Sequence, residues 1–408
     1  MSQENVLSFH NTLADTSWNA ITSIHDDPGR QTNMFLEKMD SHFNTCFPLM
    51  TKYISLKRLN SPWLSTAILK SINTKHNLYK RVKQQTYDFH AYKTYRRHLT
   101  HLIRVAKKRY FDNKFEQCKH DIKQTWILIN SVLRPGQKKT PLHKIIHNEN
   151  EITNPVQIAN TFNIHFSSIG NKLKNELPRD NVHNFSHYLP TSNPHSIYLS
   201  PSTPAEVTLL INGMKNKKQN MHSPSVKLFK LNAQVLAIPI SAIFNNLVSS
   251  GLYPNVLKIA CVTSLFKSGD KFNVNNYRPI SSLPLLNIIF EKLLHKRMNS
   301  FLEANDIFSP CQYGFRKGLN TGDAVNELLD NVYNSMHRNE YRGAIFLDLS
   351  KAFDTVSHDI LLRKLEHYGI RGVALLLLQS YLSNRKQFVS FCGSKSEMCD
   401  LNIGVPQG

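Results

Sequence analysis

Residues 343–358 read GAIFLDLSKAFDTVSH, and the assignment of this stretch decides the fold. Ala344 to Leu347 form a short apolar run, the pattern of a buried strand, and an acid, Asp348, closes it. Carboxylates are rarely fully buried unless they are paired or hold a metal, so an Asp at a strand end needs a reason. A P-loop nucleotidase is excluded, because no G-x-x-x-x-G-K-[ST] occurs in the chain. A phosphoaspartate enzyme calls for a second Asp two residues on, where this chain has Ser350. What remains is a metal-binding carboxylate in a site for phosphoryl or nucleotidyl transfer, in which cations held by carboxylates clamp the attacking and leaving oxygens. Such a site needs a further carboxylate. Asp354 and Asp359 are nearest in sequence, and both fit better as caps of the helix that follows.

On the C-terminal side of this stretch the pattern gives two helices, about 358–368 and 371–383, then a strand QFVSF, a turn CGSKSE and the segment NIGVPQG. On its N-terminal side a helix carries Val325, Leu328, Leu329, Val332 and Met336 on one face, after a Gly-punctuated basic loop, QYGFRKGLNT. Earlier still, IACVTSLFK reads as a strand, SGDKFNVNN as a loop, and YRPISSLPLLNIIFEKLLHKRMNSFLEAN as an extended piece leading into a helix. Strands and helices alternate without a βαβ rhythm, which predicts an α+β fold. Between 141 and 255 the chain is mostly helical. KIIHNENEIT suggests a small hairpin, and Asn154-Pro155 opens a helix with Ile158, Phe162, Phe166 and Ile169 on one face. Residues 175–204 contain Pro178, Pro190, Pro194, Pro201 and Pro204, a long irregular connection, and helices resume at 205–214 and 232–250.

The chain has 408 residues, enough for about two or three domains. Its 41% hydrophobic content is that of a globular protein, and it rules out wholesale disorder. The charge is less ordinary. Fifty Lys and Arg against 29 Asp and Glu give a formal +21, and a polyanion is the natural partner of such a field. Residues 51–139 concentrate it: 21 Lys and Arg face four acids there, a balance of +17. Two basic amphipathic helices, roughly 62–84 and 88–118, and a shorter one around Trp126 account for this region, with Ser61-Pro62 as the start signal and Arg134-Pro135-Gly136 as the stop. In the second helix Tyr92, Tyr95 and Tyr110 alternate with Arg96, Arg97, Arg104, Lys107 and Lys108. Clustered cations with interleaved tyrosines fit phosphate tracking and base stacking; a solvated helix packed on its own core is the blander account.

The six cysteines include no C-x-x-C pair, so neither a zinc site nor a disulfide framework is indicated. The N-terminus lacks the basic and apolar regions of a secretory signal. The longest apolar cluster, Val373 to Leu378, is too short to span a bilayer. These features lead to the expectation of an intracellular protein of nucleus or cytoplasm, with no membrane partner.

FLDLSKAFDTVSHDILLRKL resembles motif A of reverse transcriptases from non-LTR retrotransposons, and the flanking motifs agree in order. LFKSGD with NNYRPISSLPLLNIIFEKLL is similar to the first fingers motif of that family, QYGFRKGLNT to the second, and GVPQG to the opening of motif B. The resemblance is specific over roughly 256–408. It is looser upstream, where PWLSTAILKSINTKHNLYKR and ANTFNIHFSSIG look like the stretch between endonuclease and polymerase. One departure is Asn220-Met221-His222-Ser223, where relatives usually show an Asp-Gly turn.

The resemblance implies a partial right-hand polymerase fold, fingers and part of the palm, over 256–408. Charge and helical pattern, read apart from the resemblance, place a basic helical nucleic-acid-binding region at 1–140 and a mostly helical extension at 141–255 before it. It implies that Asp348 ligates metal, assisted by the carbonyl of Leu349. It places Phe353 under the sugar of the incoming nucleotide, where its ring excludes a 2′-hydroxyl. Lys267, Arg278 and Arg316 would grip the triphosphate or template backbone, for reasons of charge and donor geometry, and Gln407 would contact nucleotide or template. Without the motif, Phe353 reads as core and the three cations as surface residues. The implied cofactor is a pair of Mg²⁺ ions, with Mn²⁺ as a substitute. The implied partners are an RNA template, a DNA primer or target, and deoxynucleoside triphosphates. Motif C, with its paired aspartates, is expected beyond motif B, so the chain reads as a fragment that is inactive alone. Two other readings stand beside a polymerase segment: a non-catalytic nucleic-acid-binding remnant, and a metal-dependent phosphohydrolase using Asp348, which the order of the motifs disfavours.

Overall fold

The computed structural model describes residues 2–48, 61–119, 121–133, 142–147, 150–176, 185–216 and 224–407. The chain divides into two compact units, one made of residues 1–48 with 142–408, the other of 49–141. The first 48 residues therefore belong with the later part of the chain and not with the basic helices, unlike the 1–140 grouping drawn from charge. Their helices α1 (Gln3–Ala14), α2 (Asn19–Thr22) and α3 (Pro28–Cys46) bury Phe9, Leu13, Ile21 and Phe35 in the larger unit.

In the smaller unit, α4 (Thr66–Lys83) and α5 (Phe89–Gln117) pack on each other, and α6 (Ile122–Leu133) follows. α4 begins at its Ser65 cap, whose hydroxyl accepts from the Ile68 N–H, so the start lies a turn beyond Ser61-Pro62. α5 is capped by Asp88, which accepts from the Ala91 N–H at 2.8 Å. The stop signal Arg134-Pro135-Gly136 lies outside the described residues.

The larger unit has a helical core and a sheet core. β1 (Ile145–His147) and β2 (Asn150–Ile152) form the small antiparallel hairpin, and α7 (Pro155–Glu176) starts where the Asn154 Oδ1 accepts from the Val156 N–H. Then come α8 (Pro204–Gly213), α9 (Val226–Leu231) and α10 (Ala233–Ser250). The Asn220–Ser223 departure lies outside the described residues. α10 is long and apolar enough to cross a membrane, yet it is mostly buried. Ile240, Phe244 and Leu247 pack with Phe9, Phe35, Ile289 and Phe290 in the helical core. It ends on Gly251 at φ 70, the left-handed position that favours glycine, whose N–H returns to the Leu247 carbonyl.

The sheet holds β3 (Ile259–Phe266), β4 (Tyr277–Ser282), β5 (Arg385–Phe391), β6 (Ser394–Lys395) and β7 (Cys399–Leu401). β3 lies between β4, antiparallel, and β5, parallel, and both β6 and β7 pair antiparallel with β5. One face receives α7: Ile158, Phe162 and Phe166 meet Val262, Tyr277 and Val389, with Phe162 edge-on to Tyr277 at 4.9 Å. α11 (Leu285–Ala304), α12 (Thr321–His337), α13 (His358–His367) and α14 (Val373–Leu382) complete the unit, and mixed helices and sheet make the fold α+β.

The strand expected at Asp348 is absent. Tyr341 to Leu349 form no ladder, and Phe346 and Leu347 are 81% and 88% exposed. Extended backbone becomes a strand only when its N–H and C=O groups meet a partner, and no described strand pairs with this segment. The apolar side of α12 is exposed as well, including Tyr333 and Met336.

Candidate functional site

Two expected site residues sit on the β3–β4 hairpin. Arg278 lies opposite Leu265, and the Lys267 N–H donates to the Asn276 carbonyl at 2.9 Å. Strand alternation puts Lys267 and Arg278 on the face away from α7, because Phe266 and Tyr277 point into the core beneath that helix. Both cations are exposed.

Phe353 and Gln407 belong to loops that the structure joins. The Val405 N–H donates to the Phe353 carbonyl at 2.8 Å, and the Gly404 N–H to the Val356 carbonyl at 2.9 Å. Two residues further, the Ser281 N–H of β4 donates to the Gln407 carbonyl at 2.7 Å. The GVPQ segment thus bridges the turn after Asp348 to the edge strand β4. Phe353 is 38% exposed, so it is not the core residue that its apolar character alone suggests, and its ring meets Phe315 edge-on at 6.4 Å.

Arg316 is partly occupied within its own loop. Its Nη1 donates to the Ser309 carbonyl at 3.3 Å, and its guanidinium lies 5.4 Å from the Phe308 ring centre. Asp348 and Leu349 stand apart, exposed on the unpaired segment. Among the described residues no group of three His, Cys, Asp or Glu side chains could hold a metal. In this arrangement the donor set does not fit a pair of divalent ions. Asp354 does not cap α13: its N–H closes a turn onto Lys351, and the cap position is Ser357. Asp359 falls in the first turn of α13, where a carboxylate suits the helix dipole.

Sequence reasoning missed the residues that build the junction. Gly170 of α7 lies so close that a Cβ there would be 2.3 Å from the Asp354 carbonyl oxygen and 2.5 Å from Ile403. A ring nitrogen of His358, Nε2, is 2.7 Å from the Gly404 carbonyl. Arg385, at the start of β5, is buried beside them. Only Gly170 carried a legible signal, a glycine inside a helix on its apolar face.

In the smaller unit the tyrosines and the cations part company. Tyr92 packs on Tyr79 at 5.5 Å, the Tyr95 hydroxyl donates to the Ser71 carbonyl, and Tyr110 packs on Trp63 at 6.1 Å. These rings form the seam between α4 and α5 and are not free platforms for bases. Lys93, Arg96, Arg97, Arg104, Lys108 and Arg109 remain exposed. The one ion pair among the described residues of this unit is Lys119 with Glu116.

Residues 267–408 match the family model described as reverse transcriptase (RNA-dependent DNA polymerase). The chain is 30% identical over 226 residues to the probable RNA-directed DNA polymerase from transposon BS of Drosophila melanogaster, covering 52% of this chain and 24% of the relative. It is 31% identical over 217 residues to that of transposon X-element of the same fly, at 52% and 23% coverage. It is 30% identical over 215 residues to the RNA-directed DNA polymerase from mobile element jockey of Drosophila funebris, at 51% and 23%. The chain spans about a quarter of the length of these curated relatives. Residues 267–408 carry a reverse transcriptase domain, and its similarity is to the enzymes of non-LTR retrotransposons.

Proposed function

We propose that residues 256–408 are the fingers and first part of the palm of a right-hand RNA-directed DNA polymerase that copies retrotransposon RNA into DNA. The observation that carries this reading is the hydrogen-bonded junction of three motifs, in which GVPQ ties the Phe353 turn to the strand bearing Arg278. In this reading Lys267 and Arg278 bind phosphate oxygens, and Phe353 excludes a 2′-hydroxyl from the sugar site. Gln407 lies against template or nucleotide. Enzymes of this class use divalent metal, with Asp348 as one ligand. Among the described residues Asp348 belongs to no group of three His, Cys, Asp or Glu side chains that could hold a metal. RNA template, DNA primer and deoxynucleotides are the partners, inside the cell.

The test is nucleotide selection in an active polymerase containing this segment. Phe353→Ala is expected to admit ribonucleotides, raising their incorporation relative to deoxynucleotides by at least about tenfold, the scale of one lost steric contact worth about 1.4 kcal/mol. An unchanged ratio in primer extension would remove Phe353 from the sugar site. The exposed cations of α5 favour a second reading, a nucleic-acid-binding segment that needs no catalysis, and the two are compatible within one longer protein.

A further inference from the structure

Residues 190–203 form a strap on the helical side of the larger unit, and polar clamps hold it at both ends. Near its start the Asn193 N–H donates to the His367 carbonyl at 3.1 Å, the Ile197 N–H donates to the Gly369 carbonyl at 2.9 Å, and Arg371 Nη2 donates to the Asn193 carbonyl at 2.7 Å. Near its end Arg297 donates to the Ser200 and Pro201 carbonyls, and Asn245 Oδ1 accepts from the Ser202 N–H at 2.7 Å. Between the clamps Ile197 packs with Ile370 and Ala374, and Leu199 packs against the helical core. Side-chain alternation along extended chain then turns Tyr198 outward, and it is 79% exposed. Among the described residues its hydroxyl has no hydrogen-bond partner and its ring no aromatic or cationic neighbour.

Tyr198 stands between two clefts. One, of about 900 Å³, lies between the strap, α8 and α11, and the other, of about 420 Å³, between the strap, α10 and the start of α14. The side chain therefore borders open space on two sides. Three cations, Lys296, Arg297 and Arg371, and one acid, Glu206, are the charged residues lining the two clefts. Arg297 and Arg371 spend donors on strap carbonyls and keep their charge. Lys296 pairs with Glu206 at 2.8 Å, and its side chain is 67% exposed, open to a phosphate from solvent. A bare ring with space on two sides and a surplus of cations around it matches a polyanion that carries aromatic faces. An acidic peptide would answer the charge and leave the ring unused.

We propose that Tyr198 is a stacking platform for single-stranded nucleic acid, with a base on each side of the ring and Lys296 on the phosphate that joins them. Stacking of this kind tolerates any sequence, because every base has a π-face. The tyrosines of α5 are closed into a helix seam and cannot serve this way, whereas the clamped strap holds Tyr198 out from the surface. The site shares no residue with α4, α5 and α6 or with Lys267, Arg278 and Phe353, and it holds whether or not the segment polymerises.

The experiment is photocrosslinking of the full 408-residue chain to a short oligouridylate carrying 5-iodouridine, with adducts located by peptide mass spectrometry. Tyr198 is expected to carry an adduct. Adducts confined to the basic helices would overturn the Tyr198 site and leave the nucleic-acid reading of those helices standing. The matching deoxyuridylate, run in parallel, separates RNA from DNA as the natural strand; an adduct with either supports the site, and an adduct with neither overturns it. Affinity gives a second measure, taken in a chain carrying Arg96→Glu, Arg97→Glu and Lys108→Glu so that the basic helices do not mask the loss. In that background Tyr198→Ala is expected to weaken binding about fivefold or more, and Tyr198→Phe to retain it. The salt slope should stay unchanged in Tyr198→Ala, because stacking releases no counterions, and should fall by about 1 in Lys296→Ala. Unchanged affinity in Tyr198→Ala, or an equal loss in Tyr198→Phe, overturns the stacking.

Discussion

Lys258 pays for its place beside β5. Burial first, and the positive charge of Arg385 second, push its ammonium pKa down to about 8. In the unfolded chain a lysine titrates near about 10.4. Below pH 8 the folded state must therefore carry a charge that the unfolded state holds at less cost. As pH rises from about 8 to about 10.4 the unfolded chain keeps its proton longer than the folded one, and stability rises with pH across that window. The gap corresponds to at most about 3 kcal/mol. Lys258→Met is expected to stabilise the protein at neutral pH by a part of that amount and to flatten the alkaline rise. Urea midpoints at pH 7 and pH 10 for both forms check it, and a lower midpoint for the variant at pH 7 would show that Lys258 makes a contact worth more than its desolvation costs.

At the scale of elements, α7 is the spine of the sheet core, and Gly170 is where it meets the turn after the Asp348 segment. Gly170→Ala gains helix propensity of about 1 kcal/mol, but its Cβ would collide with backbone oxygen, which has no rotamer to escape into. Overpacking of this kind costs about 1–3 kcal/mol, so the variant is expected to be destabilised overall and to lose the Gly404–Val356 hydrogen bond. Thermal unfolding and amide exchange at Gly404 measure the two effects. The helices here were legible because their caps and apolar spacing are local: Asp88 before α5 and Asn154 before α7 mark starts that the structure keeps. β3 and the extended piece that becomes β4 were legible as well, though not their pairing. The strand at Asp348 was not, because AIFL looks the same whether or not a neighbouring backbone is there to pair with it. The junction of Gly170, Asp354, Arg385 and GVPQ was hidden because its members are far apart in sequence and meet through backbone groups, which leave no residue-type signature. The tyrosines of α5 misled in the opposite way: a ring between cations fits a base platform and a helix seam equally well until the packing partner is known.

For the whole molecule, charge and chemistry separate into two expected behaviours. The +17 balance of residues 51–139, with most of its described cations exposed and one ion pair among the described residues, should bind single-stranded nucleic acid by counterion release. About six phosphate contacts would give a slope of log affinity against log salt near about −4, and the triple variant Arg96→Glu, Arg97→Glu, Lys108→Glu should flatten it by about 2. A slope that is flat in the parent chain would mean that the basic helices serve another partner. Nucleotidyl transfer makes a different demand. Two hard cations need several oxygen ligands held close together, and near-octahedral Mg²⁺ is not bound in pairs by one exposed carboxylate. Asp348 lies exposed on a segment without a ladder, and among the described residues it is part of no cluster of three metal-ligating side chains. The 408-residue chain is therefore expected to retain template but not to extend a primer on an RNA template, with either Mg²⁺ or Mn²⁺. Templated synthesis by this chain that disappears on Asp348→Ala would mean that a second carboxylate joins Asp348 in solution. Synthesis lost on Asp354→Asn but retained on Asp359→Asn would identify it as Asp354.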